Sequence, residues 1–211
     1  MRNILILILF ITTQINNAQS NEGLEREIET DSTSFYYDRG VEKIDSKDYD
    51  GALRDFDKAI KLSPDFADCY HNRAFVKDLL DDFIGAIEDY TISIMLSPND
   101  ASTYNNRAIL KSYFEANDGA IQDLDKAIQL NPNNEEYYNN RGVVKQDLGD
   151  INGAIEDYTK AIGLNPNNGL AYHNRGVCKQ TLKDFDAACL DAKKSQELGH
   201  DAQELIESVC D

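Results

Sequence analysis

The four prolines of this chain, Pro64, Pro98, Pro132 and Pro166, stand thirty-four residues apart. A proline cannot continue a helix, so punctuation at that period means one structural unit copied along most of the chain. With the proline at position 32, the first copy begins at Thr33 and position 4 reads Tyr36, Tyr70, Tyr104, Tyr138 and Tyr172. Position 8 is always small (Gly40, Ala74, Ala108, Gly142, Gly176), position 20 is always Ala (Ala52, Ala86, Ala120, Ala154, Ala188), and position 27 is Ala or Ser (Ala59, Ser93, Ala127, Ala161, Ser195). Small columns let two helices approach closely. Leu or Ile at position 21 and Ile at position 28 in the first four copies, with Leu at position 30, add apolar bulk at helical spacing. The spacing predicts helix A over roughly positions 2 to 14. A break such as Gly149-Asp150 or Lys183-Asp184 follows, then helix B, ending before the proline. Asp65, Asn99, Asn133 and Asn167 each follow a proline, and their side chains suit a turn and the cap of the next helix.

This set of columns resembles the tetratricopeptide repeat, over residues 33 to about 200. The resemblance implies an all-α fold: a right-handed superhelical solenoid of five antiparallel helix pairs, 33–66, 67–100, 101–134, 135–168 and 169–200. One hairpin cannot bury its own apolar face, whereas a stack of several gives a continuous core. The fifth copy has His200 in place of the proline, and Ala202, Leu205, Ile206 and Val209 then share a helical face. Residues 201–211 are therefore expected to form a C-terminal capping helix. No comparable apolar stripe precedes Thr33.

Residues 1–18 do not belong to the repeat. Arg2, the apolar run Ile4 to Ile11 and the small Ala18 read as an export signal, and the run is too short for a bilayer, which needs about twenty residues. This start resembles exported proteins of Bacteroidota-type bacteria, which implies a periplasmic or secreted location. Residues 19–32 read as a flexible acidic lead-in. The formal net charge of −17 repels phosphate backbones and sets nucleic acid aside as a partner. Export makes disulfides feasible. Cys189 lies near the start of the last helix B and Cys210 ends the capping helix that must fold back over it, so Cys189–Cys210 is the preferred bridge, with Cys178–Cys189 as its competitor. Closing a loop of that size contributes about 3 kcal/mol if unstrained. Cys178, in a column of apolar residues, also reads as a small buried hydrophobe, and Cys69 as a free thiol.

Two columns depart from the family consensus in every copy. Position 7 is Arg39, Arg73, Arg107, Arg141 and Arg175, and position 11, one helical turn on, is Lys43, Lys77, Lys111, Lys145 and Lys179. On helix B, position 23 is Asp55, Asp89, Asp123, Asp157 and Asp191. The guanidinium suits a carboxylate, so the Arg and Asp columns are expected to form a structural ladder between packed helices; a stripe for phosphate or another acidic ligand is the rival reading. The resemblance places position 6 (Asn72, Asn106, Asn140 and Asn174 after Asp38) on a concave groove. An Asn there offers a donor and an acceptor to a peptide backbone. Position 5 (His71, Asn105, Asn139, His173) and position 9 (Phe75, Ile109, Val143) are expected beside it, as a polar rail and an apolar strip. Hydrogen bonding between adjacent helices is the equal alternative for the Asn column.

The family's carboxylate clamp does not carry over, since positions 5 and 6 hold neither Lys nor Arg. No nucleophile elbow, phosphate loop or metal motif occurs, and no cofactor or metal is expected. The sequence thus predicts a non-enzymatic, exported scaffold that holds an extended peptide in its groove. The alternatives are recognition through the acidic exterior, end-to-end self-association and, further off, a small-ligand receptor or enzyme.

Overall fold

Each repeat reverses direction at one residue with left-handed backbone geometry. Position 15 is Lys47, Asp81, Glu115, Gly149 and Lys183, with φ of 61, 61, 58, 80 and 63°. Only Gly149 reaches that region without a Cβ penalty. The next residue starts helix B. Asp48, Asp82, Asp150 and Asp184 each accept from the backbone N–H three residues on, at 3.0 to 3.3 Å, satisfying a donor that the helix leaves open. The third repeat has Ala116 there and no side-chain cap.

The structure, a computed structural model, describes residues 32–210. The expected signal (1–18), the lead-in up to residue 31 and Asp211 lie outside the described residues. Within them the regular elements are all α-helices. Helix α1 covers 32–45, followed by α2 (Tyr49–Leu62), α3 (Ala67–Leu79) and α4 (Phe83–Leu96). Then come α5 (Ala101–Tyr113), α6 (Asn117–Leu130), α7 (Glu135–Asp147), α8 (Ile151–Leu164), α9 (Gly169–Thr181), α10 (Phe185–Glu197) and the short α11 (Gln203–Val209). The A helices run over positions 1 to 13, one residue earlier than the periodicity suggests. The chain divides into two compact units, one ending at Leu96 and the other beginning at Ser97.

In the first unit α3 packs on α4 and α2 on α3. Ala52, Phe56 and Val76 form its buried centre, with Tyr37, Val41, Ile44, Tyr49 and Leu53 against them. In the second unit α5 pairs with α6, α7 with α8 and α9 with α10, and each pair packs on the next. The alanines at positions 20 and 27 are fully buried. In the first and fourth repeats position 8 is glycine because the aromatic ring of position 24 lies on it, and in the fifth Leu205 of α11 takes that place. A Cβ added at Gly142 would stand 2.6 Å from the Tyr158 ring, and one at Gly40 would stand 2.7 Å from Phe56. Large and small columns thus interdigitate at close range.

The helix A caps differ from expectation. The residue directly after the proline does not cap the helix. After Pro98, Pro132 and Pro166 the one following it does, with Asp100, Asn134 and Asn168 accepting from the N–H groups of Ser102, Glu136 and Ala171, whereas Phe66 after Pro64 leaves α3 without a side-chain cap. Asn131 and Asn165, before the proline, instead close the turn by accepting from Asn133 and Asn167. Without its proline the fifth repeat turns at Gly199 (φ 83°), and α11 lays Leu205 and Val209 against Ala188 and Ala192. Cys189 and Cys210 form a disulfide with a Cα separation of 5.1 Å, fastening the end of α11 to α10. Cys69 and Cys178 are buried thiols, and burial pushes them up to about 12 and about 11.

The four capped repeats serve as controls for the uncapped one. Ala116→Asp at this exposed position is expected to stabilise the fold by about 1 kcal/mol, read as a raised urea midpoint with unchanged slope.

Candidate functional site

A carboxylate buried between two helices must be matched by cations, and every repeat meets that demand in the same way. Asp55, Asp89, Asp123, Asp157 and Asp191 are all buried. Each accepts Nε and Nη2 of the position 7 arginine of its own repeat, at 2.5 to 2.9 Å. Each also takes the position 11 lysine at 2.7 or 2.8 Å. The columns read from sequence as an Arg–Asp pair are therefore triads of two cations and one carboxylate. Hydrogen bonding to Arg39, with Lys43 adding to it against the opposing effect of burial, holds the Asp55 carboxyl down at about 2. The same bonding raises Arg73 and Arg141, through Asp89 and Asp157 first.

The arginine reaches further. Arg73 and Arg141 extend Nη1 to Asp57 and Asp125 of the preceding repeat at 2.6 and 2.7 Å, and Arg175 reaches Thr159 at 3.1 Å. Each guanidinium also lies 5.3 to 5.8 Å from the ring centre of the position 4 tyrosine. Tyr70, Tyr104 and Tyr138 in turn donate to the carbonyls of Pro64, Pro98 and Pro132. The invariant tyrosine and proline thus belong to one polar linkage with the arginine. The sequence signal for the arm to position 25 is the column Asp57, Thr91, Asp125 and Thr159, an acceptor in four copies.

The asparagine column links A helices. Nδ2 of Asn72 donates to the Tyr37 hydroxyl at 3.1 Å, Nδ2 of Asn140 to Oδ1 of Asn105 at 2.9 Å, and Nδ2 of Asn174 to Oδ1 of Asn139 at 3.5 Å. Position 6 of one repeat is thus clasped to position 5 of the repeat before it. Asn105 and Asn139, expected on the groove, are buried acceptors between adjacent A helices. Asn105 also donates to Oδ1 of Asn106 at 3.3 Å. Asn72, Asn106, Asn140 and Asn174 are half-buried.

In the second unit these clasps border an apolar depression. Ile109 and Val143 are 45% and 37% exposed. With Ser112, Leu124, Asn140 and Val144 they line a hollow of about 120 Å³. Asn140 spends a donor on Asn105, while its Oδ1 has no hydrogen-bond partner among the described residues. In the first unit Phe75 is exposed at the equivalent of Ile109. Ser112, Leu124 and Val144 were not singled out in the sequence because they belong to columns that otherwise read as core or variable surface.

The histidines take structural places. His71 sets its ring against Tyr90 at 5.6 Å. His200, which looked solitary in the sequence, meets the His173 ring at 5.1 Å. The last repeat has no successor to supply an asparagine to His173, and its Nδ1 is buried without a hydrogen-bond partner. Burial, and then the neighbouring His200, lower its pKa. No group of three or more His, Cys, Asp or Glu side chains among the described residues is arranged to hold a metal ion. No described helix is long and apolar enough to cross a membrane.

With this geometry established, comparisons with known proteins agree on the architecture. Residues 33–66 and 135–168 match models of the tetratricopeptide repeat, and residues 115–149 match a further TPR repeat model. The chain is a tetratricopeptide-repeat protein. Among solved structures it is similar to MamA protein at 27% identity, over 79% of this chain and 91% of that one, with a TM-score of 0.73. It also resembles YrrB, described as a TPR protein with an unusual peptide-binding site, at 18% identity over 82% and 89% of the two chains (TM-score 0.71). Pseudomonas aeruginosa pilF is likewise 18% identical over 86% and 90% of the chains (TM-score 0.74). The last two likenesses concern the fold alone. No curated protein matches the sequence.

The two kinds of acid that Arg141 touches should differ sharply in worth. Asp157→Ala leaves Arg141 and Lys145 facing each other across a buried site and is expected to destabilise by about 3 kcal/mol. Asp125, 56% exposed on its side chain, should cost less than about 1 kcal/mol when changed to Ala. Urea unfolding of the two variants checks the contrast.

Proposed function

We propose that this protein is a non-enzymatic scaffold that holds an extended segment of another protein along the A helices of its second unit. The observation that carries the reading is the hollow between Ile109 and Val143, with the unengaged Asn140 Oδ1 at its edge. About 120 Å³ suits one aliphatic side chain, and the amide oxygen is placed to accept a backbone N–H beside it. Because the Asn donors link helices, recognition uses acceptors from this column and apolar side chains from position 9. The bound segment therefore presents N–H groups and a branched apolar residue. Export to the periplasm or beyond is part of the proposal: the pattern of Arg2, Ile4 to Ile11 and Ala18 supports it, and so does the Cys189–Cys210 disulfide, a bond favoured in oxidising compartments.

A photocrosslinking residue placed at exposed Ile109 should trap a polypeptide from the envelope fraction, while the same residue at Glu156, on the exposed face of α8, should not. Val143→Asp should abolish the Ile109 crosslink with unchanged helical circular dichroism. Crosslinks from Ile109 that survive Val143→Asp would place recognition elsewhere.

A further inference from the structure

The five repeats act as one another's controls, and on helix B the fifth places an apolar residue where the others are polar and solvent-facing. Position 22 is Arg54, Glu88, Gln122 and Glu156 in the first four repeats, each polar and exposed. In the fifth it is Leu190, which is 70% exposed. Five residues earlier, at the first residue of α10, lies Phe185, 48% exposed. Next to Leu190 is Cys189, whose disulfide to Cys210 draws the end of α11 alongside α10. The two helices enclose an open hollow of about 560 Å³, walled by Phe185, Leu190, Val209 and the disulfide. Two adjacent departures from the repeat, Cys189 and Leu190, thus build the wall and expose the apolar side chain.

The rim of the hollow is acidic. Asp186 and Glu207 both line it, and neither has an ion-pair partner among the described residues; Glu207 only accepts the Gln203 amide, at 2.7 Å. A second copy of this chain would bring a matching pair of carboxylates, and a net charge of −17, against the first, which like-charge repulsion opposes. A cationic segment meets the opposite condition.

We propose that this hollow is a second docking surface, separate from the Ile109–Val143 groove, for a segment of a partner protein that presents one large apolar side chain flanked by Lys or Arg. The apolar side chain enters between Phe185 and Leu190, displacing water from exposed apolar area. The flanking cations face Asp186 and Glu207 and set specificity against acidic segments. The disulfide keeps the α11 wall in place.

Fluorescence anisotropy with a labelled Lys-Lys-Leu-Lys-Lys peptide and its Ser-centred counterpart, titrated with the full chain at physiological salt, tests this. The Leu peptide is expected to bind about tenfold more tightly than the Ser peptide, the worth of burying one aliphatic side chain. Leu190→Gln, which restores the residue type of Gln122, should erase that ratio, while Glu156→Gln at the same position of the fourth repeat should preserve it. Amide NMR shifts induced by the Leu peptide should cluster at residues 185–190 and 207–210. Equal affinity for the two peptides, a ratio unchanged by Leu190→Gln, or shifts centred on Ile109 and Val143 would overturn the proposal. So would a concentration-dependent dimer, seen by sedimentation, that Leu190→Gln abolishes, since a second copy would then be the occupant.

Discussion

A buried aspartate between the two helices of each repeat is the constraint around which the rest is arranged. An isolated ionised carboxylate in that position would be prohibitively costly to desolvate. The chain meets the cost with a bidentate arginine and a lysine one helical turn away, so three columns of the repeat are tied together by charge alone. Two cations against one acid leave a surplus of positive charge. In the second and fourth repeats the arginine's remaining nitrogen places that surplus on an aspartate of the preceding repeat. The same group therefore defines how a hairpin closes and how one hairpin registers on the last. Apolar contact is non-directional and tolerates sliding, whereas a fork of two short hydrogen bonds does not.

This division of labour bears on function. Within each unit the register of neighbouring repeats is held by the Arg arm on one side and by the Asn clasp between A helices on the other. This leaves position 9 of the second, third and fourth repeats outside the core, whereas Val41 and Val177 at that position pack against it. Phe75, Ile109 and Val143 are exposed there although apolar, and the hollow beside Asn140 lies among residues whose backbone is already fixed. A surface held rigid before a partner arrives loses less conformational entropy on binding. Each triad is itself net positive, so the acidic excess of the chain lies outside the triads.

Much of the architecture was legible because it depends on period and size. Four prolines at one spacing and small columns at positions 8, 20 and 27 determine helix pairs, and Gly142 under Tyr158 shows why the small column exists. Charge pairing was half legible: Arg and Asp columns announce a partner on the opposite helix, but whether Lys joins depends on side-chain reach, which column statistics do not convey. The asparagines show the limit most clearly. Position 5 and position 6 are neighbours in sequence, yet rotation about the helix turns Asn105 and Asn139 into the contact between A helices and leaves Asn140 at the edge. Capping differed by one residue because Asn133 and Asn167 lie within the proline turn, closed from Asn131 and Asn165. His200 looked solitary because its neighbour His173 is brought to it only by the altered turn that replaces the missing proline.

The central claim is that two cations hold each position 23 carboxylate, and Asp55 is the place to measure their effect. Its folded-state pKa lies below that of the free side chain, so its contribution to stability is complete above pH about 4 and is lost as pH falls through about 2. Carbon NMR of the Asp55 carboxyl, followed by acid titration while the helical signal persists, should show a flat chemical shift through the ordinary aspartate range and a midpoint near 2. A midpoint near that of an unperturbed aspartate, about 3.9, in a still-folded chain would contradict the account.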